Sequence, residues 1–320
     1  MIAFSHDSSY MSISGTGCQI YIYSLSKRPT TTTCINSYPE KILNEQGDEI
    51  TALSWNKDGK LISSGKDCKV KLWDPLREEM IKSFDHPEKV TFCKFYRNSD
   101  NHFVTACKDN LLRVFSIGET QPVGYYQIPM TCYCVDFDFK NRYLAVGLDK
   151  GEVLLYSVKD DYHLRFFSKL ICRNRKGIYS KGKKVVGLKF VTEDWLLVTT
   201  ADSRIRLMKY LEGVCVQKFK GHKNSKARIC PDFSAKDKIL VSGSENGKVY
   251  IWKYEEGLSK NSKFEAFQVR NKKCAEFAVL ATVKLEEEIR QRYLEGFVNF
   301  ALFSIGAKET MKGFLILHNK

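Results

Sequence analysis

One short design recurs seven times along the 320 residues of this chain: an apolar strand, a second strand ending in small residues, a tight turn, and a β-rich strand closing on a bulky side chain. The second copy is the clearest. It runs Ile50-Thr51-Ala52-Leu53-Ser54-Trp55, a turn with Asp58-Gly59, Leu61-Ile62-Ser63-Ser64-Gly65, the tight turn Lys66-Asp67, and Val70-Lys71-Leu72-Trp73-Asp74. Apolar alternation with period two predicts strands, and Asp-Gly between two of them predicts a hairpin. Copy three places strands at 90–95, 103–107 and 112–115, with Lys108-Asp109 as its turn. Copy four leads from Tyr143 through Asp149 into Val153-Leu154-Leu155-Tyr156, and copy five from Leu196 through Asp202 into Ile205-Arg206-Leu207-Met208. Copy six has Gly221-His222, a strand at 239–244 and Val249-Tyr250-Ile251-Trp252. The end copies, 2–23 and 275–317, are weaker; Met1 cuts the first one short, and the last carries a long insertion.

The closing residues are Tyr23, Trp73, Phe115, Tyr156, Met208, Trp252 and Leu317, and the tightest intervals are 42 (Trp73 to Phe115) and 41 (Phe115 to Tyr156). Four-strand units at that period stack radially as propeller blades, which buries both faces of each sheet. Trp73-Asp74 and Gly221-His222 resemble WD-repeat signatures. The expected fold is therefore all-β, a seven-bladed WD-repeat β-propeller with incomplete or divergent first and last blades. It is read as one domain over 1–320, with blade one truncated at Met1 and the last blade at 274–320. Within that blade, 284–295 is helix-like: Leu285, Ile289 and Tyr293 form a stripe, and Glu286 with Arg290 and Glu288 with Arg292 pair at i, i+4. Such a helix suits packing on its own blade better than docking a partner.

A closer resemblance lies in blades four to six. The run Val198-Thr199-Thr200-Ala201-Asp202-Ser203-Arg204-Ile205-Arg206-Leu207 and the run from Ser242 to Trp252, with Leu53-Ser54-Trp55 and Val90-Thr91 earlier, resemble the WD repeat-containing protein forty-four family, the rabphilin-like, Rab-binding propellers. The resemblance covers most of 1–256. It implies a context of Rab GTPases, recycling endosomes and membrane traffic. In that family the Rab-binding segments lie upstream of the propeller, so the resemblance implies the propeller and its context rather than Rab binding by these residues. An N-terminal strand usually closes such rings. Here the last blade is expected to lack that strand and leave an edge unpaired, so that either the chain is part of a longer product or a partner or segment 258–273 covers the edge.

In WD repeats a His ahead of the blade bonds the turn Asp, so His86 is read as structural with Asp109, Thr105 and Phe115. His222 is read likewise with Asn246, Ser242 and Trp252. Asp67, Asp109, Asp149 and Asp202 stand one per blade and each is expected to cap its own hairpin rather than to form an acid-base pair.

Net charge is +14, and residues 161–230 hold 17 Lys or Arg against five acids, a surplus of 12 that leaves only about +2 for all the rest. The densest run is Arg173, Arg175, Lys176, Lys181, Lys183 and Lys184, between the outer strand of blade four (163–172) and the inner strand of blade five. Outer-to-inner connections share a face with the turns between second and third strands. Lys66, Lys108, Arg204, Lys223 and Lys226 sit on such turns or connections. Together these eleven residues form a candidate anion-binding or partner-binding face, or else a solvated surface that keeps the domain dispersed. An acidic protein or acidic lipid suits it better than nucleic acid, because the loop offers only Tyr179 for stacking on bases.

Several function classes have no supporting motif. The chain lacks GxxxxGK[ST], HExxH and GxSxG, so no catalytic, cofactor-binding or metal-ligating set is assigned and the chain is not expected to be an enzyme. The 11 cysteines, among them Cys93, Cys107, Cys132, Cys134 and Cys230, show no CxxC pair and suit buried reduced thiols. Cys132 and Cys134 share a strand face, but no matching pair stands near to complete a metal site. Neither a leader-like n-region with an apolar h-region nor an apolar run of roughly 18 residues is present. The expectation is a cytoplasmic interaction scaffold bearing on protein partners in vesicle traffic, touching membrane at most peripherally. The alternative is a nucleic-acid or ribonucleoprotein-associated propeller.

Overall fold

The computed structural model describes residues 1–7, 9–14, 18–24, 39–44, 46–174, 181–225, 227–234, 238–254, 264–268, 275–281, 297–306 and 311–319. Six antiparallel four-stranded sheets follow one another, and a seventh sheet has three strands. Each sheet is a meander from an inner to an outer strand. Blade two, for example, runs Ile50–Trp55, Leu61–Gly65, Lys69–Asp74 and Glu79–Asp85. The inner strands of blades three to six are Val90–Phe95, Cys134–Phe137, Val185–Phe190 and Asp232–Ser234.

The ends are the unequal copies. Blade one has four strands, but its inner strand Ile2–Phe4 and outer strand Lys41–Leu43 are three residues each. The seventh sheet comprises Ala275–Ala281, Phe297–Gly306 and Met311–Asn319. The helix-like segment 284–295 lies outside the described residues. Segment 258–273 contributes Phe264–Gln268, which pairs with Lys248–Lys253 as the outer strand of blade six and is not available there to cover another edge. The one helical element among the described residues is a 3-10 turn at Asp149–Gly151, and none is long and apolar enough to cross a membrane.

Stacking explains where the alternation is lost. The second strand of blade two, Leu61–Gly65, is buried at every position, because neighbouring blades cover both of its faces. Alternation survives on the outer strands, as at Val214–Phe219. Between blades three and four Val104, Val114, Phe137, Leu144, Val146 and Tyr156 interlock. Six of the closing residues, Tyr23, Trp73, Phe115, Tyr156, Met208 and Trp252, are buried. Leu317 lies in the last strand.

The thiols are held within this packing. Cys132 donates to the Cys134 carbonyl at 3.4 Å, and Cys134 to the Val185 carbonyl at 3.7 Å. Burial pushes Cys93 and Cys132 up to about 12 and Cys230 to about 11, which keeps them neutral and unreactive.

Candidate functional site

In each meander, the turn between second and third strands and the connection to the next blade emerge on one face, here termed the connection face. On blades four to six its backbone is tied into an arc. The Val185 amide donates to the Leu148 carbonyl (2.9 Å) and the Ala201 amide to the Lys184 carbonyl (2.9 Å). Gly182 makes the first of these approaches possible. It has φ +81, and a Cβ there would lie 2.0 Å from the Lys150 carbonyl oxygen. Further round, Ser203 and Asn224 exchange bonds of 3.1 and 2.9 Å, and the Glu245 amide donates to the Lys223 carbonyl at 2.9 Å.

This arc carries Lys181, Lys183 and Lys223 exposed, with Arg173 at its start and Lys184 and Arg204 half-buried. Several acids beside it are occupied within the protein. Glu245 accepts from the Ser225 and Ala227 amides, Glu152 pairs with Lys169 at 2.8 Å, and Asp149 accepts from the Lys150 amide. The other members of the predicted set stand apart. Lys66 of blade two pairs with Glu49 at 2.5 Å, and Lys108 is exposed on blade three. Arg175, Lys176 and Lys226 lie outside the described residues.

The turn residues form a different network in each blade. In blade two the Trp73 indole N–H donates to Ser63 Oγ (2.8 Å), and Ser63 donates to Gln46 Oε1 (2.7 Å). The Gln46 amide then donates to both Asp67 oxygens at 2.9 Å. Gln46 stands four residues ahead of the inner strand of blade two, the place His86 holds ahead of blade three, and its amide likewise both accepts and donates. Gln46→Ala is expected to lower stability by about 1–3 kcal/mol by leaving Ser63 and Asp67 without it, while Gln46→His retains most of that; urea unfolding distinguishes the two.

In blade three His86 contacts Thr105 Oγ1 (2.9 Å) and the Phe84 carbonyl (3.2 Å), not Asp109. Asp109 is engaged instead by the Arg113 guanidinium and the Leu111 amide, and Phe115 has no N–H to extend a chain of bonds. In blade five Asp202 binds Thr200, Arg206 and Asn174. The expected four-membered network of blade six is absent. Asn246 is bonded to the Tyr250 hydroxyl, Trp252 donates to the Lys220 carbonyl at 3.0 Å, and neither ring nitrogen of His222 has a partner among the described residues. Burial pushes His86 and His222 down to about 4, so both rings are neutral at pH 7.

A second feature lies in the central channel, a cavity of about 620 Å³ lined by the inner strands of blades one to six. The residue before the last aromatic of successive inner strands is Ser54, Lys94, Asp136, Lys189 and Asp232, ahead of Trp55, Phe95, Phe137, Phe190 and Phe233. From blade three onward the charges alternate. Lys94 Nζ lies 2.9 Å from Asp136, Arg97 of the same blade 3.4 Å from it, and the Phe190 amide of blade five donates to it at 2.8 Å. Lys189 pairs in turn with Asp232. Burial alone would raise the Asp136 carboxyl, but Lys94, Arg97 and the Phe190 amide outweigh it and hold the group below the usual carboxylate range. One carboxylate thus joins three blades. In blade two the neutral Ser54 Oγ accepts the Phe95 amide at 3.1 Å in the equivalent way.

Comparison with known proteins agrees with this architecture. The WD domain, G-beta repeat family profile matches residues 34–74 and 213–253, the stretches that end at Asp74 and Lys253 after the third strands of blades two and six. WD repeat-containing protein 44 of Xenopus laevis is 31% identical over 216 residues, 66% of this chain and 23% of that protein. The 2-deoxy-glucose resistant protein 2 of Saccharomyces cerevisiae is 26% identical over 246 residues, 67% of this chain and 28% of its own length. The E3 ubiquitin-protein ligase COP1 of Arabidopsis thaliana is 24% identical over 212 residues, 65% and 30% respectively. The chain therefore spans less than a third of each of these relatives. Repeat profile, relatives and stacked antiparallel meanders converge on one family: the chain is a WD40-repeat β-propeller.

Proposed function

We propose that this propeller is a non-catalytic interaction scaffold in vesicle or endosomal membrane traffic, and that the basic arc of blades four to six is its contact surface for acidic partners. The observation that carries the reading is the arc itself. Lys181, Lys183 and Lys223 project from tied backbone on one face, while Glu245, Glu152 and Asp149 are turned to internal bonds. A positive field of this kind attracts acidic protein surfaces and acidic headgroups and raises encounter rates. The trafficking context rests on the similarity to WD repeat-containing protein 44, which covers 66% of this chain. Small GTPase-linked machinery is the partner class that this similarity suggests.

Charge reversal tests the arc. Lys181→Glu with Lys183→Glu and Lys184→Glu is expected to weaken binding to phosphatidylserine vesicles, or to a co-purifying acidic partner, by about tenfold or more at low salt. The difference should shrink as ionic strength rises, because surface charges are screened beyond about 10 Å at 0.1 M salt. Unchanged binding would overturn the reading, and tight RNA binding at physiological salt that the same substitutions abolish would replace it with the nucleic-acid alternative. Affinity purification of the complete gene product identifies the partner.

A further inference from the structure

Arg228 precedes the inner strand of blade six, at the connection-face end of the channel. Its side chain crosses the mouth. Nη1 donates at 3.0 Å to the Thr91 carbonyl of blade three, and Tyr133 and Phe92 line the same cavity. On the Tyr133 ring sits a second cation, Lys184, with Nζ 5.5 Å from the centroid. Two cations from different blades therefore meet around one phenol.

Their situation differs from that of the other channel cations. At the waist, Lys94 and Lys189 are neutralised by Asp136 and Asp232. At the far mouth Arg97 is paired with Asp136, donates to the Phe137 carbonyl at 2.9 Å and lies 4.8 Å from the Phe139 ring. Arg228 makes one carbonyl bond, and neither it nor Lys184 forms an ion pair among the described residues. Among the described residues, four of the five guanidinium N–H donors of Arg228 have no acceptor, which leaves them to face a ligand.

We propose that this mouth recognises a phosphorylated side chain on an acidic segment of a partner protein. The inference rests on the scaffold reading above and names the ligand chemistry of the same face. A guanidinium fork, a lysine point charge and a phenol hydroxyl complement a group with charge near −2 and three acceptor oxygens better than a single carboxylate. Arg228 is half-buried between inner strands, so the group must enter on a protruding side chain rather than lie in a flat layer of headgroups. The chain that bears it then has an acidic path outward, past Lys184, Lys183 and Lys181 on blade five or Lys223 on blade six.

The test is fluorescence anisotropy on the full chain, with a short Glu-rich peptide carrying one phosphoserine, the same peptide with serine, and phosphatidylserine vesicles as a third arm. The phosphopeptide is expected to bind about tenfold or more tightly than its serine form. Arg228→Gln should abolish that preference, and Arg228→Lys, which keeps charge without the fork, should reduce it. Circular dichroism melting confirms that both variants are folded. Equal affinity for the two peptides, or a preference that survives Arg228→Gln, would overturn the proposal. So would vesicle binding that Arg228→Gln weakens as much as it weakens the phosphopeptide. The triple charge reversal at Lys181, Lys183 and Lys184 separates the two readings: if it still weakens vesicle binding while no phosphate preference exists, the basic arc stands and only the phosphate site fails.

Discussion

Replacing Asp136 by Ala is expected to lower the stability of the propeller by about 3–5 kcal/mol, the range typical of removing one partner from a buried ion pair. The side chain is 2% exposed and receives Lys94, Arg97 and the Phe190 amide, so its loss leaves two cations and one backbone donor without their acceptor. Those donors belong to blades three and five. Neighbouring blades are otherwise joined mainly by non-directional apolar packing, which does not set how one sheet is displaced along the next. Asp136→Asn separates the contributions, since its amide oxygen still accepts from Phe190 while the charge is gone. Replacing Ser54, the blade-two equivalent, by Ala removes one neutral bond and should cost about 1–3 kcal/mol. Urea unfolding of the three variants measures the order Asp136→Ala, Asp136→Asn, Ser54→Ala. A loss below that of Ser54→Ala for Asp136→Ala would show that the pairs contribute nothing beyond packing.

This charge ladder also shows where reading the sequence stopped short. Blades two to six were legible because their inner and middle strands are apolar runs bounded by turn residues, and because bulky closing residues recur, at 41 or 42 residues where no insertion intervenes. The ladder was not, although Lys94-Phe95, Asp136-Phe137, Lys189-Phe190 and Asp232-Phe233 spell it out. Each pair looks ordinary within its own strand. The pattern emerges only when positions in neighbouring blades are superposed, because the attraction acts between chain segments some forty residues apart. Gln46 was hidden differently, by an amide that does the bonding work sought from an imidazole. His222 was the reverse case: the expected residue is present, but Asn246 turns to Tyr250 and the ring is left packed edge-on against Trp252, 5.7 Å between centroids. The outer strand of blade one, Lys41–Leu43, is too short at three residues to carry a periodic signal. For the basic arc, charge density was visible at 173–184, but the separation of Lys66 onto Glu49 needed the folded geometry.

Acidification should destabilise the protein well before its carboxylates titrate, and His86 and His222 are the groups responsible. Both have folded-state values near 4 against an ordinary 6.5, with burial as the leading cause. A lowered value means that the unfolded chain takes up protons first as pH falls. The stability these rings contribute is therefore complete above about 6.5, declines below it, and levels off near 4. At pH 5 the solution lies about 1.5 units below the unfolded value of each ring, which at about 1.36 kcal/mol per unit corresponds to roughly 2 kcal/mol, or about 4 kcal/mol for the pair. His102, half-buried, shifts in the same direction and adds to the trend. The stabilising carboxylates act in a lower window. Asp74, Asp109 and Asp136 are all held below 3.8, and Asp7 is lowered to about 2, so their contribution is lost only at more acidic pH. Substitution isolates the two rings. His222→Phe removes an imidazole that has no hydrogen-bond partner among the described residues and should change stability little at pH 7.5, while His86→Gln keeps a neutral donor and acceptor beside Thr105. The double variant is expected to lose much less of its melting temperature between pH 7.5 and pH 5 than the parent chain, which loses several degrees, with His102 left to account for the remainder. A double variant whose melting temperature falls as steeply as the parent's would place the acid sensitivity in other groups. Because both rings stay neutral above pH 6.5, neither adds charge to binding measured there.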